Sequence, residues 1–216
     1  FCWRGIKKND AISWLLFGLF AGLGVLSKYL FIYLLIAIDV LFIYLILNKK
    51  FNFKCLISLI SFFLVLTPHL IWLQDNNYTT ITYAFHRTGL EKSIMIDHLL
   101  NPLIFLGKQF IILVPFFVML LSVVRKFNIK LNLKDKKLIF LFIINFVPII
   151  LIFLTSLLIG AKIKTMWMTP FYLFMGVLFV YVFQKKIDLK KIKYFFSIFL
   201  ILFIFLPTIY SYISIT

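Results

Sequence analysis

Acidic side chains are scarce: 7 Asp and Glu stand against 23 Lys and Arg in 216 residues, a formal net charge of +16. Charged residues of both signs amount to only 14% of the chain, where a soluble domain carries about a quarter, so polar surface to cover a water-facing body is lacking. There are two cysteines, Cys2 and Cys55, both beside basic segments expected on the reducing side of a membrane. Neither a disulfide nor a cysteine metal site is expected from them. Gly-rich phosphate loops, HExxH and GxSxG are all missing, and His69, His86 and His98 lack metal-ligand spacing. No cleavable signal peptide opens the chain, which begins at Phe1 and reads as an internal fragment. No internal repeat stands out.

What fills the chain instead is apolar, at 63%. Runs bounded by charge or turn residues fall at about 11–27, 29–47, 55–73, 103–124, 138–159, 167–184 and 195–214. Each is near the length that crosses about 30 Å of hydrocarbon as a helix, and the short alternating segments of a β-barrel are not seen. The expected fold is all-α: a polytopic membrane helix bundle of about seven spans in one domain covering 1–216, with an outer loop at 74–102.

The distribution of cations argues against nucleic acid, because they sit between apolar runs and not on an aromatic-studded basic face. They fall in the N-terminus (Arg4, Lys7, Lys8), the 48–54 loop (Lys49, Lys50, Lys54), the 125–137 loop and the 185–194 loop. By the positive-inside rule these segments are cytoplasmic, which puts the N-terminus of the fragment in the cytoplasm and its C-terminus outside.

For the N-terminus and the 48–54 loop to share a side, the stretch 11–47 must cross twice, turning at its polar break Ser27-Lys28. Gly18, Gly22 and Gly24 line the first of these helices at spacings that allow close helix approach, which would bring Lys28 into the bundle. The 74–102 connection holds most of the polar chemistry, including Asp75, His86, Arg87, Glu91, Lys92, Asp97 and His98. A loop of that length is expected to carry an interfacial or re-entrant helix, at about 92–102.

Lys28, Arg87, Lys162 and Lys164 thus lie on the side where topology disfavours positive charge, so a ligand role gains weight. The ligand expected is an anionic phosphate held by point-charge lysines and a forked arginine. Lys162 and Lys164 flank Ile163, and on an extended loop they point the same way.

Four stretches then carry a resemblance. Trp14 through Tyr29, WLLFGLFAGLGVLSKY, resembles the "LSKY" segment of membrane glycosyltransferases of family 39, the dolichyl-phosphate-mannose-protein mannosyltransferase-like branch of the GT-C superfamily. Pro68–Trp72 with Asp75-Asn76 and Tyr83–Arg87 resembles its "P-x-x-x-W … F-x-x-x-H-R" stretch. Phe105–Gln109 leading to Pro115 resembles its "GGQ…SP" helix, with Lys108 in place of a small residue. Lys164–Tyr172 resembles its "W-x-x-P-x-Y" stretch, with Met166 where His or Asn is common.

The resemblance implies transfer of a hexose or pentose from a polyprenyl-phosphate carrier to an envelope acceptor, whether lipid (lipopolysaccharide included), glycan or protein. It implies that the reaction takes place on the outer face of a bacterial inner membrane. It implies substrate-binding roles for Lys28, His86, Arg87, Lys162, Lys164 and Trp167. The catalytic base is expected on an outer loop upstream of these residues, so the fragment alone is expected to be inactive. No cofactor is indicated, and a divalent metal is left open. The competing class is a transporter or flippase subunit; Asp39 and Lys108 are the in-span charges, and the halves show no pairing.

Overall fold

The computed structural model describes residues 1–48, 52–89, 94–124, 132 and 134–215. Among these the chain forms α1 (Cys2–Lys8), α2 (Ala11–Ser27), α3 (Ile32–Leu47), α4 (Ile57–Asp75), α5 (Thr79–Thr88), α6 (Asp97–Val123), α7 (Lys136–Ile159), α8 (Met175–Phe183) and α9 (Ile192–Ile215). Short 3-10 turns precede α3, α4 and α9, and a longer 3-10 segment, Thr165–Tyr172, precedes α8. The fold is an all-α polytopic bundle.

Among the described residues, five helical stretches are long and apolar enough to cross a membrane: Tyr29–Leu47, Phe53–Asp75, Asp97–Val123, Lys136–Ile159 and Leu189–Ile213. A sixth is broken, since Thr165–Tyr172 and Met175–Phe183 meet at 45°. The seventh apolar run forms α2, which at 17 residues spans about 26 Å, slightly less than a hydrocarbon core. Among the described residues the seven apolar runs thus take the form of five full-length helices, one bent pair and one shorter helix.

Scarce acids are spent on helix starts. Asp10 accepts from the Ser13 amide at 3.0 Å, Asp135 from the Lys137 amide at 2.9 Å and Asp188 from the Lys190 amide at 3.1 Å. Each satisfies an amide that helix geometry leaves open, beside the positive end of the dipole.

α2 packs along α4, α3 packs on α7, and α6 lies between α7 and α9. The α2–α4 contact is close because Gly18 faces the Ser58 carbonyl and Gly22 faces Val65, and the Ser61 hydroxyl donates across it to the Leu15 carbonyl at 2.9 Å. One core, with Trp14, Ile38, Leu138, Leu141, Ile144, Met175 and Leu178, joins α2, α3, α7 and α8. A second, with Phe105, Ile152, Met168 and Phe171, joins α6 and α7 to the 3-10 segment. Apolar side chains such as Leu64, Phe110, Ile111 and Phe203 face outward, as lipid permits and water does not.

The helix ends sort by charge. Lys54 Nζ donates to the Asn9 carbonyl at 3.3 Å, the Trp3 and Phe140 rings lie 5.2 Å apart, and the Asp188 amide donates to the Val123 carbonyl at 3.0 Å. The Tyr181 hydroxyl donates to Asp135 at 2.6 Å, with Lys137 over the Tyr181 ring. These contacts gather α1, the turn before α4, the start of α7 and the end of α8 at one cation-rich end. Lys49, Lys50, Glu91, Lys92, Arg125, Lys126 and Lys130 lie outside the described residues.

At the other end, the helix read at about 92–102 is not separate. Residues 90–93 lie outside the described residues, and Asp97–Asn101 is already the first part of α6, which runs on into the span. The separate helix of this connection is α5, nearer its start.

Candidate functional site

α2 stops at Ser27, and Lys28 leaves it in an extended conformation with φ −159° and ψ 116°. Its amide still bonds to the Gly24 carbonyl at 3.0 Å, while its own carbonyl accepts from the Phe31 amide at 2.9 Å and starts the turn into α3. The turn closes this tightly because Gly24 has no side chain: a Cβ there would stand 2.7 Å from the Phe31 ring. Lys28 is half-buried, and its Nζ lies 3.4 Å from the Met166 carbonyl. That contact joins the α2–α3 turn to the 3-10 segment that carries Trp167.

Tyr29 makes the next connection. Its hydroxyl lies 2.6 Å from His69 Nε2 and 2.8 Å from Thr80 Oγ1. Both bonds form at once when the phenolic proton goes to an unprotonated His69 nitrogen and the Thr80 hydroxyl supplies the proton of the other. His69 in turn stacks on Trp72, one helical turn on, with ring centroids 5.7 Å apart. Between α4 and α5, Asn77 and Tyr78 take φ values of 52° and 54°, a region that non-glycine residues enter infrequently. This reversal turns α5 back so that Thr80 meets Tyr29.

α5 then carries His86 and Arg87, both exposed. Arg87 Nη1 donates to the Tyr83 hydroxyl at 3.1 Å, and the guanidinium lies 5.9 Å from the Tyr83 ring centroid. The Thr88 carbonyl accepts from the Lys162 amide at 3.0 Å. α5 thus straps the end of the bundle from the Lys28–Tyr29 turn to the loop after α7.

That loop begins at Gly160, whose φ of 72° ends α7 in the left-handed form glycine adopts without penalty. Asn101 donates to the Gly160 carbonyl at 2.8 Å and His98 Nδ1 to the Leu157 carbonyl at 3.0 Å, holding the start of α6 against the end of α7. Lys162 and Lys164 are exposed, whereas Ile163 between them packs into the Phe105–Ile152–Met168–Phe171 core. Trp167 is half-buried, its amide bonded to the Lys164 carbonyl at 3.0 Å. Below it, the Tyr172 hydroxyl donates to Gln109 Oε1, so two of the stretches singled out in the sequence meet inside the bundle.

The structure therefore links Lys28 to the Trp167 segment, and Lys162 to the turn that follows His86 and Arg87. It does not join Arg87 to Lys28: the guanidinium contacts described are with Tyr83 on its own helix. Tyr29, His69, Thr80 and the Gln109–Tyr172 pair were not singled out by sequence reasoning. The available signal was adjacency, since Tyr29 follows Lys28 and His69 follows Pro68 within the quoted stretches. Among the described residues, no three of His, Cys, Asp and Glu come together as metal ligands.

Residues 1–72 match the family model described as dolichyl-phosphate-mannose-protein mannosyltransferase. The resemblance holds there. The match spans a third of the chain and takes in Trp14–Tyr29 and Pro68–Trp72, hence Lys28, Tyr29 and His69. Phe105–Pro115 and Lys164–Tyr172 lie beyond it. No curated protein and no solved structure matches the chain.

Proposed function

We propose that the protein is a membrane glycosyltransferase that moves a hexose or pentose from a polyprenyl-phosphate carrier to an envelope acceptor, at the outer face of a bacterial inner membrane. The observation that carries this reading is the placement of Lys28, in a stretch matched by the mannosyltransferase family model, at the end of the bundle that also holds Arg87, Lys162, Lys164 and Trp167. The cation-rich end faces the cytoplasm on this reading, in line with the positive-inside rule.

In the transfer, the bond between the sugar's anomeric carbon and the carrier phosphate breaks as a bond to the acceptor oxygen forms. The departing phosphate gains a second negative charge, and cations already in place lower the barrier. Lys28 is suited to this: its contact with the Met166 carbonyl, at 3.4 Å, is at the long limit of a hydrogen bond. A charge-assisted bond to phosphate, worth about 1.5–3 kcal/mol, outcompetes it. Lys162 and Lys164 add point charges at the headgroup level, and Arg87, released from Tyr83, offers its planar fork to the phosphate or the acceptor. His86 and Trp167 line the sugar side. The acceptor proton goes to a carboxylate that the resemblance places on an upstream outer loop.

The test is sugar release from a radiolabelled polyprenyl-phosphate donor by the full-length protein in membranes. Arg87→Ala should lower turnover, and Arg87→Lys should recover only part of it, because the charge returns without the fork. Wild-type turnover in both variants would remove Arg87 from the site, and absence of any donor consumption by wild type would overturn the reading.

A further inference from the structure

At the cation-rich end, remote from Lys28, α1, the first turn of α2, the last turns of α3 and the turn before α4 surround a cavity of about 270 Å³. One wall is apolar, formed by Ile6, Phe42 and Leu45, and the rest is polar, with Asn9, Asn52 and Cys55. Trp14 also lines it and is 2% exposed. Its ring fits against α1 because Gly5 has no side chain: a Cβ there would stand 2.8 Å from the indole.

Two polar atoms of this lining have no partner among the described residues, the Trp14 indole Nε1 and Asn9 Oδ1. One is a donor and the other an acceptor. A buried polar group left unmade costs about 1–3 kcal/mol, so a donor and an acceptor around one cavity fit a molecule that offers both, as a hydroxyl does. Lys54 lies at the same place, its Nζ 3.3 Å from the Asn9 carbonyl, and Lys7 and Lys8 occupy the last turn of α1. The cavity sits about one turn inside the start of α2, where a bilayer places headgroups and glycerol.

We propose that this cavity binds the headgroup of an anionic glycerophospholipid. A headgroup hydroxyl accepts from Trp14 Nε1 and donates to Asn9 Oδ1, and the phosphate meets Lys54. The acyl chains run over the outward apolar side chains of α3, such as Ile43 and Ile46. The apolar wall and the membrane level favour a lipid over a soluble phosphate ester, though both share the hydroxyl and phosphate chemistry. This site is independent of the glycosyltransferase reading.

The experiment is native mass spectrometry of the detergent-solubilised protein titrated with dioctanoyl phosphatidylglycerol, dioctanoyl phosphatidylcholine or glycerol 3-phosphate. Wild type should retain phosphatidylglycerol over phosphatidylcholine. Trp14→Phe, which keeps the ring and removes the N–H, should weaken that binding about tenfold. Asn9→Gly keeps the left-handed backbone, with its φ of 54°, and should do the same; Lys54→Gln should abolish the preference between the two lipids. Lys190→Gln, at the same end on another helix start, should change nothing. Wild-type affinity in both Trp14→Phe and Asn9→Gly, with helix content unchanged, would overturn the proposal. So would phosphatidylglycerol retention no greater than that of phosphatidylcholine, which would show that the cavity does not select an anionic headgroup. Glycerol 3-phosphate binding as tightly as the lipid would overturn the lipid assignment.

Discussion

Replacing Gly18 by Ala tests the close approach of α2, which ends at Lys28, to α4. The added methyl would lie 2.0 Å from the Ser58 carbonyl oxygen, 2.2 Å from Ser61 Oγ and 2.7 Å from the Ser58 carbonyl carbon. Ser61 can rotate away, but the Ser58 carbonyl belongs to the backbone of α4, so the helices must part by roughly 1.4 Å to reach ordinary contact near 3.4 Å. Overpacking of this kind costs about 1–3 kcal/mol. Loss of the Ser61–Leu15 hydrogen bond adds about 0.6–1.7 kcal/mol, the range for bonds between membrane helices. The total is roughly 2–5 kcal/mol, read as a lower midpoint in reversible unfolding from mixed micelles. Gly107→Ala and Gly176→Ala are the controls, because a Cβ at either meets nothing within 4 Å; each should be neutral or stabilising by up to about 1 kcal/mol through helix propensity. A Gly18→Ala protein as stable as the Gly107→Ala protein would refute the close approach.

Three further outcomes are expected. Single cysteines at Lys162 and Leu189 should divide by side, the first labelled by an impermeant maleimide from outside and the second only after permeabilisation; the native Cys2 and Cys55 are buried, and burial pushes the Cys2 thiol up to about 12, so their background is low. Reversed labelling would overturn the orientation and the site with it. Tyr29→Phe removes the hydroxyl bonded to His69 and Thr80 and should increase amide exchange in α5 while leaving α7 unchanged; equal protection of α5 in both proteins would show that the strap does not depend on Tyr29. Hydrogen bonds from Tyr181 and the Lys137 amide hold the Asp135 carboxyl below the usual carboxylate range, and bonds from Ser13 together with Arg4 do so for Asp10. Their stabilisation is therefore complete above about pH 4 and lost as pH falls through the lowered values, so the thermal midpoint should be flat from pH 7 to 5 and drop in more acid solution, less steeply in Asp135→Asn; a drop already complete at pH 5 would contradict this.

The boundaries of α2 and of the stretch Tyr29–Leu47 follow from the sequence because one charged break, Lys28, interrupts an otherwise even apolar run. The start of α6 does not. Asp97, His98, Asn101 and Pro102 read as part of the 74–102 connection, yet Asp97 accepts from the Ile94 amide at 2.9 Å, His98 and Asn101 bond to the end of α7, and Pro102 lies inside α6, past the first amides that a helix leaves open, where sequence rules expect a break. The run 167–184 reads as one span, but Thr165–Tyr172 winds as a 3-10 segment around Pro170 before the 45° bend. In the candidate site, Lys28 is legible because it stands at the polar break in the apolar stretch 11–47. The Tyr29–His69–Thr80 cluster is not, since its partners lie 40 and 51 residues apart and nothing in hydropathy or spacing reports contacts between separate helices.

Carrier binding by Lys28 tests the central claim most directly. Polyprenyl phosphate would be titrated into the full-length wild-type, Lys28→Ala and Lys28→Arg proteins in nanodiscs, with correct insertion checked by labelling. The account predicts binding weakened about tenfold or more in Lys28→Ala, the loss of one charge-assisted bond to phosphate, and partly restored in Lys28→Arg. Unchanged affinity in Lys28→Ala would contradict it and leave Lys28 as a helix-end lysine reaching the membrane surface.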